Sequence, residues 1–232
     1  MNWIMPLFYL LLTVAVYLGA MALQKRWNHP LLNPVLIALL VLVAILLGFD
    51  IPYQDYQAGG HWLSDLLAPS VVALGVPLYK QLKQIRRELP GVLMVVTLST
   101  LFALMSTVIL ALLVGAANEI AVSLAPKSVT TPIAVMIVEQ MNGTPSLGAI
   151  AVIVTGLVGA IAGIPVLNWM KITEPKSRGI AMGTACHALG TARIVQEGGE
   201  QGAYSALSLV ISATISAIIA PLMVPVLLQW FA

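Results

Sequence analysis

Six apolar runs divide the chain, at residues 4–23, 31–49, 64–80, 91–115, 145–169 and 203–231. An α-helix crosses the ~30 Å hydrocarbon core of a bilayer in about 20 residues, so each run predicts one membrane span. Two stretches break the pattern. Residues 118–142 are apolar at both ends, yet Pro126, Lys127, Ser128, Thr130, Thr131 and Pro132 interrupt the middle. Each proline deletes a backbone donor and clashes with the preceding turn, which predicts two short helices around an unwound, hydroxyl-rich break. Residues 180–200 carry a second polar interruption, Gly183-Thr-Ala-Cys-His-Ala-Leu-Gly-Thr-Ala-Arg193. Irregular backbone at membrane depth survives only where protein buries it or where it lines a wet cavity. Two such interruptions in one apolar chain point to a transport site.

Composition agrees with that reading and excludes a soluble domain. Hydrophobic residues make up 59% of the chain and charged ones 9%, with a mean hydropathy of +0.97; a soluble domain carries about 25% charged residues. The expectation is an all-α polytopic membrane protein, residues 1–232 forming a single integral membrane domain. Its scaffold spans lie within 4–115 and its broken elements at 118–142 and 180–200. Cys186 is the only cysteine, so no intrachain disulfide can form. The first residues carry no lysine or arginine, so residues 4–23 are read as a retained helix with Trp3 at the interface rather than a signal peptide. No phosphate loop, paired-histidine metal motif or nucleophile elbow is present. The chain is therefore expected not to be an enzyme, to need no metal or cofactor, and to bind no nucleic acid.

Charge gives the spans a direction. Lys25 and Arg26 follow the first run, Lys80, Lys83, Arg86 and Arg87 the third, and Lys171, Lys176 and Arg178 the fifth. The loop 50–65 holds Asp50, Asp55 and Asp65 with no cation. By the positive-inside rule the basic loops are cytoplasmic and the acidic one external. The fourth run then ends outside, and the fifth alone returns the chain to the cytoplasm before Lys171. Residues 118–142 therefore dip in from outside and return, and residues 180–200 enter from the cytoplasmic side. The prediction is six full spans, two re-entrant elements of opposite entry, and both termini outside. Leu67-Ala-Pro-Ser-Val faintly echoes Leu124-Ala-Pro-Lys-Ser-Val, as an inverted repeat or as chance.

The two cations outside the basic loops, Lys127 and Arg193, lie inside the broken elements. An ionisable group at membrane depth is costly and marks a functional candidate. Pro132 opens a helix whose first amides, with Lys127, Ser128, Thr130 and Thr131, form an anion pocket. In the second break, Thr191 adds a hydroxyl, Arg193 can grip a carboxylate through two parallel bonds, and His187 titrates near neutral pH. His187 or Glu139 could couple protons to the substrate. Blander readings stand beside these. Lys127 snorkels if its hairpin is shallow. His187 merely satisfies a carbonyl, Glu139 is interfacial, and Arg193 pairs with Glu197 one turn on. Asn33-Pro34 is an ordinary helix start, and Gly156, Gly159 and Gly163 are packing contacts.

Leu124-Ala-Pro-Lys-Ser-Val-Thr-Thr-Pro-Ile-Ala134, with His187-Ala-Leu-Gly-Thr-Ala-Arg193 and Pro77-Leu-Tyr-Lys80, resembles the LrgB/CidB family of bacterial inner-membrane proteins over essentially the full length. The resemblance implies pairing with a smaller LrgA/CidA-type membrane protein. It also implies one of two roles: holin- or antiholin-like control of murein hydrolase export and lysis, or carriage of small monocarboxylates. The second role is that of related members such as a plastidial glycolate/glycerate translocator, and bacterial relatives are linked to pyruvate or hydroxypropionate movement. Paired anion pockets favour the carrier, since a lytic pore needs none. A homodimer is expected only by analogy with scaffolded transporters.

Overall fold

A computed structural model describes residues 3–27, 32–66, 69, 79 and 82–231, with side chains from 86 to 230 in the last stretch. Among them every regular element is an α-helix. The chain resolves into two compact units, residues 1–73 and 74–232.

In the first unit, α1 (Ile4–Trp27) packs against both α2 (Pro34–Gly48) and α3 (Tyr53–Asp65). α1 is long and apolar enough to cross a membrane, and exposed Trp3 and Trp27 mark its ends as interfacial anchors would. α2 starts as the sequence predicts. Asn33 Oδ1 accepts the amides of Val35 and Leu36 at 2.9 and 3.3 Å, and Pro34 fills the first helical turn. That role keeps Asn33 at a helix cap. The acidic stretch 50–65, expected to be a loop, is helical from Tyr53. α3 leans on α1 where Gly59 lets its backbone approach Pro6, where Tyr56 shares a 2.9 Å hydrogen bond with Thr13, and where Trp62 stacks on Trp3. Its polar sequence has no long apolar run, so the pattern of apolar residues could not announce it.

The second unit is built on three long helices: α4 (Leu82–Leu113), α7 (Pro145–Trp169) and α9 (Gly199–Phe231). With α1 they are the four helices long and apolar enough to span a membrane, and α2, at 15 residues, is a shorter apolar one. The run 64–80, with its echo of the 124 region and the Pro77-to-Lys80 motif, lies largely outside the described residues. Between the long helices sit α5 (Asn118–Leu124), α6 (Thr131–Gln140) and α8 (Pro175–Val195). At 7 and 10 residues, α5 and α6 are roughly 10 and 15 Å long and cannot cross. Several helices end on a positive-φ residue closed by a six-to-one amide bond. Ile51 N reaches Leu46 O, Ala116 N reaches Ala111 O, Gly143 N reaches Val138 O and Ile172 N reaches Leu167 O, all at 2.9–3.0 Å.

Packing centres on the short pieces. Ala121, Val122, Val129, Ala134 and Ile137 are buried against Leu104 and Val108 of α4, Val152 of α7 and Ala213, Ala220 and Val224 of α9. Met182 and Ile194 of α8 are buried against Ile164 and Leu167 of α7. Large apolar side chains such as Phe102, Leu110 and Leu222 point outward, as lipid-facing positions must.

Candidate functional site

The first polar break is the tip of a hairpin. α5 ends at Leu124, and the amides of Lys127 and Val129 bond to Leu124 O and Pro126 O at 3.1 and 3.2 Å to close a turn. Thr130 then caps α6, with Pro132 in its first turn. The chain comes back beside its entry point: Ser123 Oγ accepts the Thr144 amide at 2.8 Å, and the Thr144 hydroxyl donates to the Glu119 carboxylate. A Cβ on Gly143 would lie 2.9 Å from Ser123 Oγ and from the side chains of Val122 and Val138, so a larger residue fits only if these side chains shift.

The second break is also a hairpin tip, hidden inside what reads as one helix. Within α8, Cys186 and His187 leave helical geometry, and His187 has φ 42° and ψ −139°. A non-glycine residue there costs on the order of 1–3 kcal/mol and persists only where its surroundings hold it. The chain reverses at that point. A Cβ on Gly190 would lie 2.9 Å from Met182 O, two turns away in sequence, and Gly183 and Thr191 both touch Ser205 of α9. The α7 side is notched to receive the incoming arm. A Cβ on Gly156, Gly159 or Gly163 would strike His187, Cys186 or Met182 respectively, so these glycines are packing positions, as expected.

The two hairpins enter from opposite ends of α7. The first opens beside Thr144, at the start of α7. The second opens where Arg178 ties to Asn168 Oδ1 at 2.8 Å, Ile172 O at 2.9 Å and Gln201 Oε1 at 3.0 Å, at the end of α7. Arg178 is thus a buried clamp joining three elements, beyond the topology signal read from its charge. The tips converge on one turn of α7: Val152 is buried in the same cluster as Val129 of the first tip, and its carbonyl accepts a hydrogen bond from His187 of the second.

The expected site residues divide accordingly. Lys127, Ser128, Thr130 and Thr131 gather at the first tip, each only partly buried, and no carboxylate among the described residues lies within ion-pair distance of Lys127. His187 is at the second tip, buried, with Nε2 2.8 Å from Val152 O; a carbonyl only accepts, so Nε2 carries the hydrogen. Thr191 is buried in the returning arm, donating to His187 O and sharing a 2.9 Å bond with Ser205. Arg193 lies a further half-turn out, paired with Glu197 at 2.8 Å. Glu139 is exposed in the last turn of α6, at the open end of the first hairpin. Among the described residues no three His, Cys, Asp or Glu side chains converge on a metal-sized site.

One polar feature escaped the sequence reading. Ser205, Ser208, Ser212 and Ser216 form a buried line along α9, and Ser212 Oγ accepts from Thr100 of α4 at 3.0 Å. Thr184 Oγ1 and Ser208 Oγ are buried without a partner among the described residues. The three- and four-residue spacing of the serines was the available signal. The arrangement offers an ammonium, hydroxyls and helix-start amides at a half-open tip, backed by a close-packed tip with buried hydroxyls behind it.

Comparison with known proteins places this architecture. An uncharacterized protein of Haemophilus influenzae is 37% identical over 88% of each chain. YxaC of Bacillus subtilis, also uncharacterized, is 38% identical over 88% of this chain and 89% of its own. The holin-like protein CidB of Staphylococcus aureus is 31% identical over 91% of this chain and 93% of its own. No solved structure matches. The profile of the LrgB-like family covers residues 13–226, and this multi-pass membrane protein belongs to that family.

Proposed function

We propose that the protein is a secondary carrier of small monocarboxylates, of the size of glycolate, glycerate, pyruvate or hydroxypropionate, and not an enzyme. The observation that carries this reading is the convergence of two hairpin tips, inserted from opposite ends of α7, on Val152, with Lys127 at the first tip and no carboxylate among the described residues within ion-pair distance of it. An unpaired ammonium at such depth costs several kcal/mol unless an anion or water satisfies it, and a short carboxylate fits beside the amides and hydroxyls of residues 128–131. The binding centre is then Lys127, Ser128, Thr130 and Thr131, with Cys186 and His187 as its rear wall and Arg193 outside it. His187 is the group placed to couple protons, through Nδ1, because Nε2 is engaged by Val152.

The protein sits in the bacterial inner membrane with both termini outside and acts with a small LrgA/CidA-type membrane subunit. The test is uptake of radiolabelled glycolate, pyruvate and 3-hydroxypropionate into proteoliposomes, with and without that subunit. Saturable uptake that disappears in Lys127→Ala supports the carrier. No uptake under any gradient, from folded protein with the subunit present, sinks it. The rival reading, a holin-like regulator of lysis, draws on the name of the CidB relatives. It predicts non-saturable release of a trapped dye, unaffected by Lys127→Ala.

A further inference from the structure

A groove of about 600 Å³ runs between the start of α4 and the incoming arm of α8, away from both hairpin tips. Its mouth is charged, lined by Arg87, Glu88 and Lys176; its length is apolar, lined by Met94, Val95 and Ile180 among others. Lys176 is held at the mouth by Glu88 at 3.4 Å and Glu174 at 3.5 Å. Arg87 is exposed and has no carboxylate within ion-pair distance among the described residues. Among the described residues, Arg87, Lys176 and the adjacent Arg86 therefore face two carboxylates, Glu88 and Glu174, which leaves the mouth one positive charge in excess with Arg87 as its free cation.

The groove is matched to a membrane. α4 is a membrane span from Arg86 to Leu113, so the charged mouth sits where the span begins and the apolar length runs inward from it. The lining from Pro90 to Ser99 extends roughly 14 Å at the helical rise, about half the hydrocarbon thickness and so one leaflet. Gly91 helps keep the slot open: it has no side chain, and a Cβ there would meet nothing within 4 Å.

We propose that this groove binds an anionic phospholipid, its phosphate on Arg87 and Lys176 and one acyl chain along α4 and α8. A cationic mouth at headgroup depth above a leaflet-long apolar slot recognises both halves of such a molecule. A free small carboxylate has no acyl chain for the slot, and the choline of a zwitterionic lipid would add a further cation beside Arg86, Arg87 and Lys176.

The test compares phosphatidylglycerol with phosphatidylcholine on the detergent-purified full chain, reading retained lipid by native mass spectrometry and the unfolding midpoint by thermal shift. Phosphatidylglycerol should be retained at least fivefold more than phosphatidylcholine and should raise the midpoint. Gly91→Leu, which fills open space and leaves the lipid-free midpoint unchanged, should abolish both effects. Arg87→Gln should weaken retention severalfold, and Lys127→Ala should leave it intact. Equal retention of the two lipids, undiminished phosphatidylglycerol binding by Gly91→Leu, or the same midpoint rise with glycerol phosphate alone would each overturn the proposal.

Discussion

The two hairpins share one geometry and treat their polar groups in opposite ways. Each enters from its own end of α7, turns partway along it and leaves beside its entry point. The second hairpin has His187, Thr191 and Arg193 committed, to Val152 O, to His187 O and Ser205, and to Glu197, with Thr184 Oγ1 its one buried group without a partner among the described residues. Its glycines press backbone to backbone, as where Gly183 meets Ser205 O. The first hairpin holds its backbone by turn bonds and leaves Lys127 and its neighbouring hydroxyls half open. Buried polar groups that are satisfied rigidify a structure, and those left open await a partner. One tip is a wall and the other is a mouth.

The most severe way to break this contrast is Gly183→Leu. The new side chain meets the Ser205 carbonyl, which cannot yield as a side chain can, and a loss beyond about 4 kcal/mol is expected. Folded, monodisperse protein should vanish on size exclusion. The counterpart in the first hairpin, Gly143→Ala, meets only movable side chains and should cost about 1–3 kcal/mol while remaining foldable.

Next in size is Lys127→Ala. Uptake should fall at least tenfold, about 1.4 kcal/mol of binding, while the unfolding midpoint holds or rises as a buried charge is lost. A collapse of stability instead would show Lys127 to be structural.

Arg193→Ala sharpens the contrast further. It removes a half-exposed pair worth about 0.2–1 kcal/mol, and uptake should stay within about threefold of wild type. Equal loss of uptake in Lys127→Ala and Arg193→Ala would erase the distinction between the tips.

The smallest effect is at the open end of the second hairpin. The Ser177 hydroxyl, followed by Lys176, holds Glu174 below its ordinary carboxylate value, and the Glu88 carboxylate holds Lys176 above its ordinary value. A depressed acid contributes above its unfolded pKa and loses that contribution as pH falls through its folded value. A raised lysine contributes below its unfolded pKa and loses that contribution as pH rises through its folded value. Thermal stability should therefore be flat across neutral pH and dip slightly below the usual carboxylate range and above the usual lysine range. Glu174 is exposed and Lys176 about one-third exposed, so the dips are small, and Glu174→Gln should shrink the acid one.

These differences were unequally legible in the residues. Pro126 and Pro132 announced the first break, because proline removes a donor wherever it falls. The second break holds no proline. Its polar content was visible, but the reversal rests on a left-handed His187, and no histidine signals that conformation. Arg193 and Glu197 carried their pairing in their spacing, so that alternative was readable beside the site reading. The α9 serines are spaced as one face, yet small residues are so common in apolar helices that the spacing drew no notice. α3 was missed because its contacts with α1, through Gly59 and Trp62, depend on a partner far away in sequence.

The seat of the second hairpin has a consequence for biogenesis. Its arms are too short to be inserted as spans, and its socket is half α7, made before it, and half α9, made after it. The notches at Gly156, Gly159 and Gly163 can be ready while Ser205 is still unsynthesised. The last helix therefore acts as a latch, and the tip reaches its depth only when translation is nearly complete. A chain cut before residue 199 should leave Cys186 open to a membrane-permeant thiol reagent that reacts far more slowly with the finished protein.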